Sequence, residues 1–443
     1  MKLAALALAC ALTAGPALAE DVTAFVHVNL APMTSEAVLK DQTLIVRDGA
    51  IAAIGKDLPP PPGARVIDGR GAAWLAPGLV DGHVHSDTSE ALKVYLAHGI
   101  TSVIDMGAAR QEFISQVMPA VNAGKRPGPH VYAALRVDGL PRYGQLVVRD
   151  AEDARAAVRL AKVNGYSFIK VYNNLAPATF AALAQAGREQ RLPLVGHGVT
   201  AVGLPAQLAA GQLLVAHLEE FLYTGPGVPP PDGAPSDAAI PAVVKLVKDA
   251  GAFVGVDLVT YGAIVDQWGK PDRLAGYLAA PSAGLVTPER RIEWKDSGYV
   301  RRTGDITPNL AFLERLALAL AKAGVPLVAG TDAPTVPGLV PGVSLHDDLA
   351  RLRAAGLSPY QTLASATRTP GELVARARAD EPRFGVLAPG ARADLILTAR
   401  NPLSDLSTLR RPQGVMAAGR WYEAVELRAM LDEVAATYRL SIQ

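Results

Sequence analysis

From Leu79 onward the chain alternates short apolar stretches, ending near His85, Met106, Ala134, Tyr172, His197, His217, Asp257 and Asp332, with Ala-rich stretches of helical pattern. Short apolar strands that alternate with helices call for a parallel sheet covered by helices. Eight such units predict an α/β fold, a (β/α)8 TIM barrel, whose strand C-terminal ends form the chemical face.

The flanking segments have a different texture. Residues 22–75 alternate in the strand manner around turns, as in Thr43-Leu44-Ile45-Val46-Arg47 before Asp48-Gly49, and predict a small antiparallel sheet. The run Pro59 to Pro62 cannot sit in a central strand and predicts a surface bend. Strand and turn patterns return over 384–422, so the two chain ends together predict one β-sandwich domain with parts at 20–76 and 377–424. The barrel then occupies 77–376, and 425–443 hold a C-terminal helix packed on the outside.

Residues 1–19 have one lysine, an apolar stretch too short to span a bilayer, and Ala17-Leu18-Ala19 as an A-x-A cleavage site. They read as a secretory signal, which predicts a periplasmic or secreted protein with no membrane attachment after cleavage. Cys10, the only cysteine, lies inside this segment, so the mature chain has no thiolate for a metal or for nucleophilic attack. Any metal must therefore sit on His, Asp, Glu or a modified Lys. With 43 basic against 42 acidic residues, no net field attracts nucleic acid or anionic lipid, and neither is an expected partner.

His83 and His85 are two apart in Leu79-Val80-Asp81-Gly82-His83-Val84-His85, so a strand presents both on one face. An H-x-H pair alone equally describes two polar loop residues. His197, His217 and Asp332 add weight because each closes an apolar strand on the rim where barrel chemistry concentrates, in a chain with eight histidines. Together these residues predict a metal centre.

Lys170 sits in Phe168-Ile169-Lys170-Val171-Tyr172, where alternation sends Ile169 and Val171 to the helices and Lys170 with Tyr172 to the barrel interior. A buried ammonium beside cationic metal is electrostatically poor. Either an acid pairs with it, or carboxylation by CO₂ turns the amine into an anionic oxygen ligand.

At this point the chain resembles the amidohydrolase superfamily, and within it the binuclear members related to Xaa-Pro dipeptidases and imidazolonepropionase-like hydrolases. The resemblance rests on Ala76-Pro77-Gly78-Leu79-Val80-Asp81-Gly82-His83-Val84-His85, Ile169-Lys170-Val171-Tyr172, His197, His217, Asp332, Gly385-Val386-Leu387-Ala388-Pro389-Gly390 and Ala393-Asp394-Leu395. It implies two Zn²⁺ per chain: His83, His85 and Asp332 on the first, His197 and His217 on the second, with carboxylated Lys170 and a hydroxide bridging them. Imidazolonepropionases share the frame but are mononuclear and lack the bridging lysine, so Lys170 argues against that activity. Where many dipeptidase relatives carry a glycine- and histidine-rich stretch after the third strand, this chain has Leu135-Arg136-Val137-Asp138-Gly139-Leu140.

The implied chemistry is hydrolysis of an amide bond in a dipeptide or N-acyl amino acid. Asp332 acts as general base and then general acid, and Tyr172 and Tyr223 are candidates to stabilise the oxyanion. A lactonase or esterase using the same metals is the alternative, and a non-catalytic periplasmic binding protein a more distant one. Arg136, Tyr223 and His346 are candidates for substrate contact, with helix capping the alternative for His346. Glu219 and Glu220 either orient a ligand or are solvated. The stretch Asp257 to Asn309, too long for an ordinary connection, reads as a lid whose Arg290, Arg291, Arg301 and Arg302, with Trp294 and Tyr299, suit a carboxylate and an apolar group. Members of this family commonly form homo-oligomers, and the sequence leaves that state open.

Overall fold

The computed structural model describes residues 22–107, 109–142, 146–226 and 234–440; the predicted signal and Cys10 lie outside them. Eight parallel strands form the barrel: Leu79–Val84, Ile100–Asp105, His130–Asp138, Phe168–Val171, Leu194–Gly196, Leu214–Val215, Phe253–Gly255 and Leu327–Val328. The first and last strands close the ring through Gly82 N–H to the Ala329 carbonyl at 2.9 Å and His85 N–H to the Ala333 carbonyl at 2.8 Å. Two glycines permit this approach. A Cβ on Gly82 would lie 2.2 Å from Val328 Cγ1, and one on Gly330 would lie 2.7 Å from His83 Cβ, distances no packed core tolerates.

The strands are short, β-branched and apolar, and their alternation separates two layers of core. Ile169 and Val171 pack outward among the helices. Phe168 points inward with Val80, Ile104, Tyr132, Val195, Leu214, Phe253 and Val328, a plug sealed at the N-terminal mouth by Leu373, Val374 and Phe384. Lys170, two residues past Phe168, therefore rises from the top of this plug and is fully buried. The third strand runs to Asp138 rather than ending near Ala134, because Val137 still pairs with Val171 on one side and Leu146 on the other.

The chain ends build a separate eight-stranded sheet. Its order is Arg420–Glu423, Gly414–Ala417, Leu395–Thr398, Trp74–Pro77, Val22–Leu30, Leu39–Arg47 and Ala50–Gly55, with Arg65–Asp68 also paired to Val22–Leu30. The predicted antiparallel pattern needs correction, since Arg65–Asp68 and Trp74–Pro77 both run parallel to Val22–Leu30. The residues around the proline run lie on the surface outside any strand and carry the chain back as a crossover, which a hairpin cannot do. The helix Ala424–Leu440 packs beside the first barrel helix, Ser89–Ala97, with Val434 and Tyr438 against Val94.

One buried polar cluster joins sheet and barrel. Arg392 pairs with Asp394 at 2.6 Å and donates to Tyr132 Oη at 3.0 Å and Ser102 Oγ at 2.5 Å. Removing the guanidinium leaves the Asp394 charge buried without its partner, a defect costing about 3–5 kcal/mol. Arg392→Met should lower stability in urea denaturation by about that much, whereas a loss under about 1 kcal/mol, the range of an exposed pair, would show that the cluster does not tie the two units together.

Candidate active site

The C-terminal ends of the strands bring the chemical side chains to one point. His83 Nε2 lies 3.2 Å from Lys170 Nζ and 3.2 Å from Asp332 Oδ1, and His85 Nε2 lies 3.0 Å from the same oxygen. The His83 and His217 rings are 4.3 Å apart, and those of His197 and His217 4.9 Å. Ligand atoms of His83, His85 and Asp332 fall within 4.8 Å of one another, as do those of His83, His217 and Asp257. All six residues predicted as ligands therefore converge, and Asp257 joins them.

Each outer ring nitrogen of three histidines is held from behind. His85 Nδ1–H donates to the Gly107 carbonyl at 2.6 Å, His197 Nδ1–H to Glu220 Oε1 at 2.5 Å, and His217 Nδ1–H to Asp257 Oδ2 at 2.5 Å. Glu220 is itself fixed by Gly198 N–H at 2.9 Å. With Nδ1 committed, each Nε2 lone pair is free to face a cation. The His197 Nε2 is buried and has no hydrogen-bond partner among the described residues, a costly state for a polar atom that a metal would relieve.

Electrostatics agree with this donor set. Burial, reinforced by Lys170, holds His83 and His197 well below the usual imidazole range, and burial also lowers His85. These are neutral imidazoles, the ligating form. Burial works against an ionised Asp332, yet its close contacts with His83 and His85 outweigh it and keep the carboxyl well below its ordinary value. Burial pushes Lys170 down to about 8 and Glu220 up to about 7. His217 is the exception: burial opposes its charge, but Asp257 raises it to about 10, so without a cation it is the ring most prone to hold a proton.

Two of the gathered residues sit in strained backbone, His217 at φ 78° and Asp332 at φ 53°. Left-handed conformations are uncommon for side chains other than glycine and persist where the surroundings impose them. For Asp332 the imposition is visible: its N–H and that of Thr331 both bond the His83 carbonyl, at 2.8 and 3.1 Å, and Thr335 Oγ bonds its carboxylate. Thr331 Oγ also donates to buried Asp81 at 2.8 Å.

A cavity of about 1070 Å³ opens above this cluster, lined by His85, Arg136, Tyr172, His197, Tyr223 and Asp332 among others. Tyr172 packs 4.1 Å from the His197 ring, and the Arg136 guanidinium lies 5.7 Å from the Tyr172 ring centre. Arg136 points there from within the third strand rather than from beyond it. His346 requires correction. Its helix, Val343–Ala354, turns it toward the first barrel helix, where Nε2 lies 2.9 Å from the His98 carbonyl, and it lines a separate surface depression with Leu349 and Arg410.

The long segment after Asp257 is not an open loop but a chain of helical turns, Leu258–Gln267, Pro271–Ala279, Pro281–Leu285, Pro288–Lys295 and Gly298–Arg301. It supplies Glu289, Arg290, Glu293 and Tyr299 to the cavity wall. Of Arg290, Arg291, Arg301 and Arg302, Arg290 alone is among the described lining residues, and it pairs with Glu293 at 2.5 Å. Arg291 donates to the Tyr438 carbonyl, and Arg302 lies over the Trp268 ring. Trp294 is buried and donates to the Pro334 carbonyl at 2.8 Å, which ties the segment to the Asp332 turn.

Residues 74–422 match the amidohydrolase family. The chain belongs to that family. Like other amidohydrolases it is a metal-dependent hydrolase acting on C–N bonds, and the gathered His83, His85, His217, Asp257 and Asp332 could hold such a cofactor. It is 30% identical over 416 residues, 86% of this chain and 93% of the other, to an imidazolonepropionase of Ralstonia nicotianae. Among solved structures, a bottromycin amidohydrolase superposes with a TM-score of 0.73 at 24% identity, over 94% of this chain and 90% of that one. A Xaa-Pro dipeptidase with methionine bound in its active site superposes with a TM-score of 0.65 at 20% identity, over 91% of this chain and all of that one, 100%. No helix among the described residues is long and apolar enough to cross a membrane.

Asp257 lies at a predicted strand end, and no motif in the sequence marks it as part of the centre. If it orients His217, Asp257→Ala should keep the fold by circular dichroism and weaken metal retention about 10- to 100-fold. Titration with a competing chelator measures this, and unchanged retention would reduce the Asp257–His217 contact to packing.

Proposed function

We propose that this amidohydrolase holds two zinc ions and cleaves an amide bond in a dipeptide or an N-acyl amino acid that presents a free carboxylate. The observation that carries the reading is Lys170. Its Nζ lies 3.2 Å from His83 Nε2 among the converging imidazoles, with no acid hydrogen-bonded to it among the described residues. Burial lowers it to about 8, which makes the neutral, CO₂-reactive amine accessible near neutral pH. Carbamate formation joins the neutral Nζ to the carbon of CO₂ with loss of one proton and, counting the proton the ammonium has already given up, replaces a cation by an anion with two donor oxygens. That charge reversal supports a pair of metals, and argues for dipeptidase-like chemistry over the imidazolonepropionase activity of the sequence relative.

In this reading His83, His85 and Asp332 hold one ion, His197 and His217 the other, and carboxylated Lys170 both. Bound divalent ions acidify water from 15.7 toward about 7 and polarise a carbonyl oxygen. The remaining work falls to the protein. Asp332, kept ionised by the His83 and His85 contacts, accepts the proton of the attacking water at its carboxylate and returns it to the leaving amine. Tyr172, packed against His197, and Tyr223, half exposed at the cavity wall, are the candidates to donate to the oxyanion. Arg136 supports recognition of a substrate carboxylate, because it faces the cavity beside Tyr172. Export to the periplasm or medium belongs to the proposal and rests on residues 1–19.

A panel of dipeptides, their C-terminal amides, N-acyl amino acids and lactones tests the reading. Acid forms should exceed amide forms in kcat/KM by roughly 10- to 150-fold, the worth of one charge-assisted contact, and Arg136→Met should erase the difference. Equal rates on acid and amide would remove the carboxylate contact, and faster turnover of lactones would replace amide cleavage by ester cleavage with the same metals.

A further inference from the structure

A second concavity, of about 650 Å³, opens at the opposite mouth of the barrel. Its walls come from the segments that precede three strands: Gly165 and Tyr166 before Phe168–Val171, Leu192 and Pro193 before Leu194–Gly196, and Ala210 and Gly211 before Leu214–Val215. The end of the helix Arg368–Ala377 completes it. The floor is apolar, with Tyr166, Ala184, Leu192, Leu194 and Ala377 all buried. The rim is cationic: Lys162, Arg188, Arg191, Arg376 and Arg378 face a single acid among the described lining residues, Asp380.

Cations at this end of a barrel have an ordinary role, offsetting the negative ends of helix dipoles. Four helices, Ala151–Val163, Pro177–Gln190, Leu204–Ala209 and Arg368–Ala377, end here, and each contributes about half a negative charge. Asp380 and Glu381 both bind Arg378. Four cations still stand against the helix ends and the residual acid, leaving roughly one surplus positive charge.

The geometry of these cations goes beyond surface scatter. Arg188 is held by one N–H on the Ala210 carbonyl at 2.8 Å, and Arg376 by one N–H on the Gly251 carbonyl at 2.9 Å while it stacks 4.9 Å over the Phe253 ring. Each anchored guanidinium keeps further donors, in a fixed orientation that costs little entropy to use. Lys162 and Arg191 make no side-chain hydrogen bond or ion pair among the described residues. A concave apolar floor ringed by a few oriented polar groups is the architecture of a small-molecule site rather than of a flat polyanion-binding face.

We propose that this concavity binds a small organic anion, one with an aromatic or aliphatic body on the floor and a doubly charged head, such as a phosphate monoester, at the Lys162, Arg188, Arg191 and Arg376 rim. The site is separate from the metal centre, as it lies at the other end of the strands that carry Lys170, His197 and His217.

Calorimetric titration of the metal-loaded protein with phenyl phosphate tests this, with inorganic phosphate and benzyl alcohol as partial probes. The proposal predicts saturable binding of phenyl phosphate, weaker binding of phosphate alone, and none of benzyl alcohol. Lys162→Gln with Arg191→Gln, both exposed and remote from the catalytic cavity, should weaken phenyl phosphate by about tenfold or more and leave hydrolytic turnover unchanged. An identical isotherm in this double variant would assign the binding to the metal centre and overturn the proposal, as would absence of saturable binding in the wild type.

Discussion

Three hydrogen bonds behind the active site carry more than their own energy. By committing His85, His197 and His217 through Nδ1 to the Gly107 carbonyl, Glu220 and Asp257, the fold decides which nitrogen of each ring faces inward. The alternative tautomer would aim an N–H at the centre, where it would repel a cation. Burial then keeps His83, His85 and His197 neutral, so the cluster presents lone pairs rather than charges. Such a group of desolvated bases is expensive without a cation, which is why the orphaned His197 Nε2 is informative: the arrangement is stable in proportion to what it binds.

The remainder of the molecule holds these donors in register. Barrel closure through Gly82 and Gly330 sets His83 against the Asp332 turn, and the strained left-handed backbone of Asp332 is fixed by two bonds to the His83 carbonyl. Trp294 then pins the helical segment above the cavity to Pro334 in the same turn. The entrance and the base are thus mechanically one piece. At the far mouth the apolar plug of Phe168, Phe253 and Phe384 separates the catalytic cavity from the cationic concavity, so the two ends of the barrel can serve different ligands.

Much of this was legible in the sequence because it depends on local periodicity. Alternation alone turns Lys170 inward and Ile169 and Val171 outward, and the H-x-H spacing puts His83 and His85 on one face. What depends on non-local pairing was not legible. The parallel pairing of Arg65–Asp68 with Val22–Leu30 is a crossover that no turn motif announces. Asp257 is one of 42 acids, and its role exists only because the sixth and seventh strands bring it to His217. His346 and the arginines of the 257–309 segment are candidates near substrate on sequence proximity, whereas helical phase and partners such as the Tyr438 carbonyl and the Trp268 ring take His346, Arg291 and Arg302 elsewhere. Arg136 lies within the third strand and not beyond it, since strand length follows from its neighbours on both sides.

The account stands or falls on Lys170 as a shared ligand, and metal content measures it most directly. Elemental analysis of the purified protein should find close to two divalent ions per chain, falling to one or fewer in Lys170→Ala, with the second ion and part of the activity restored by short-chain carboxylic acids that mimic the carbamate. A wild-type content of one ion per chain, unchanged by Lys170→Ala, would contradict it and leave a mononuclear hydrolase with a structural lysine.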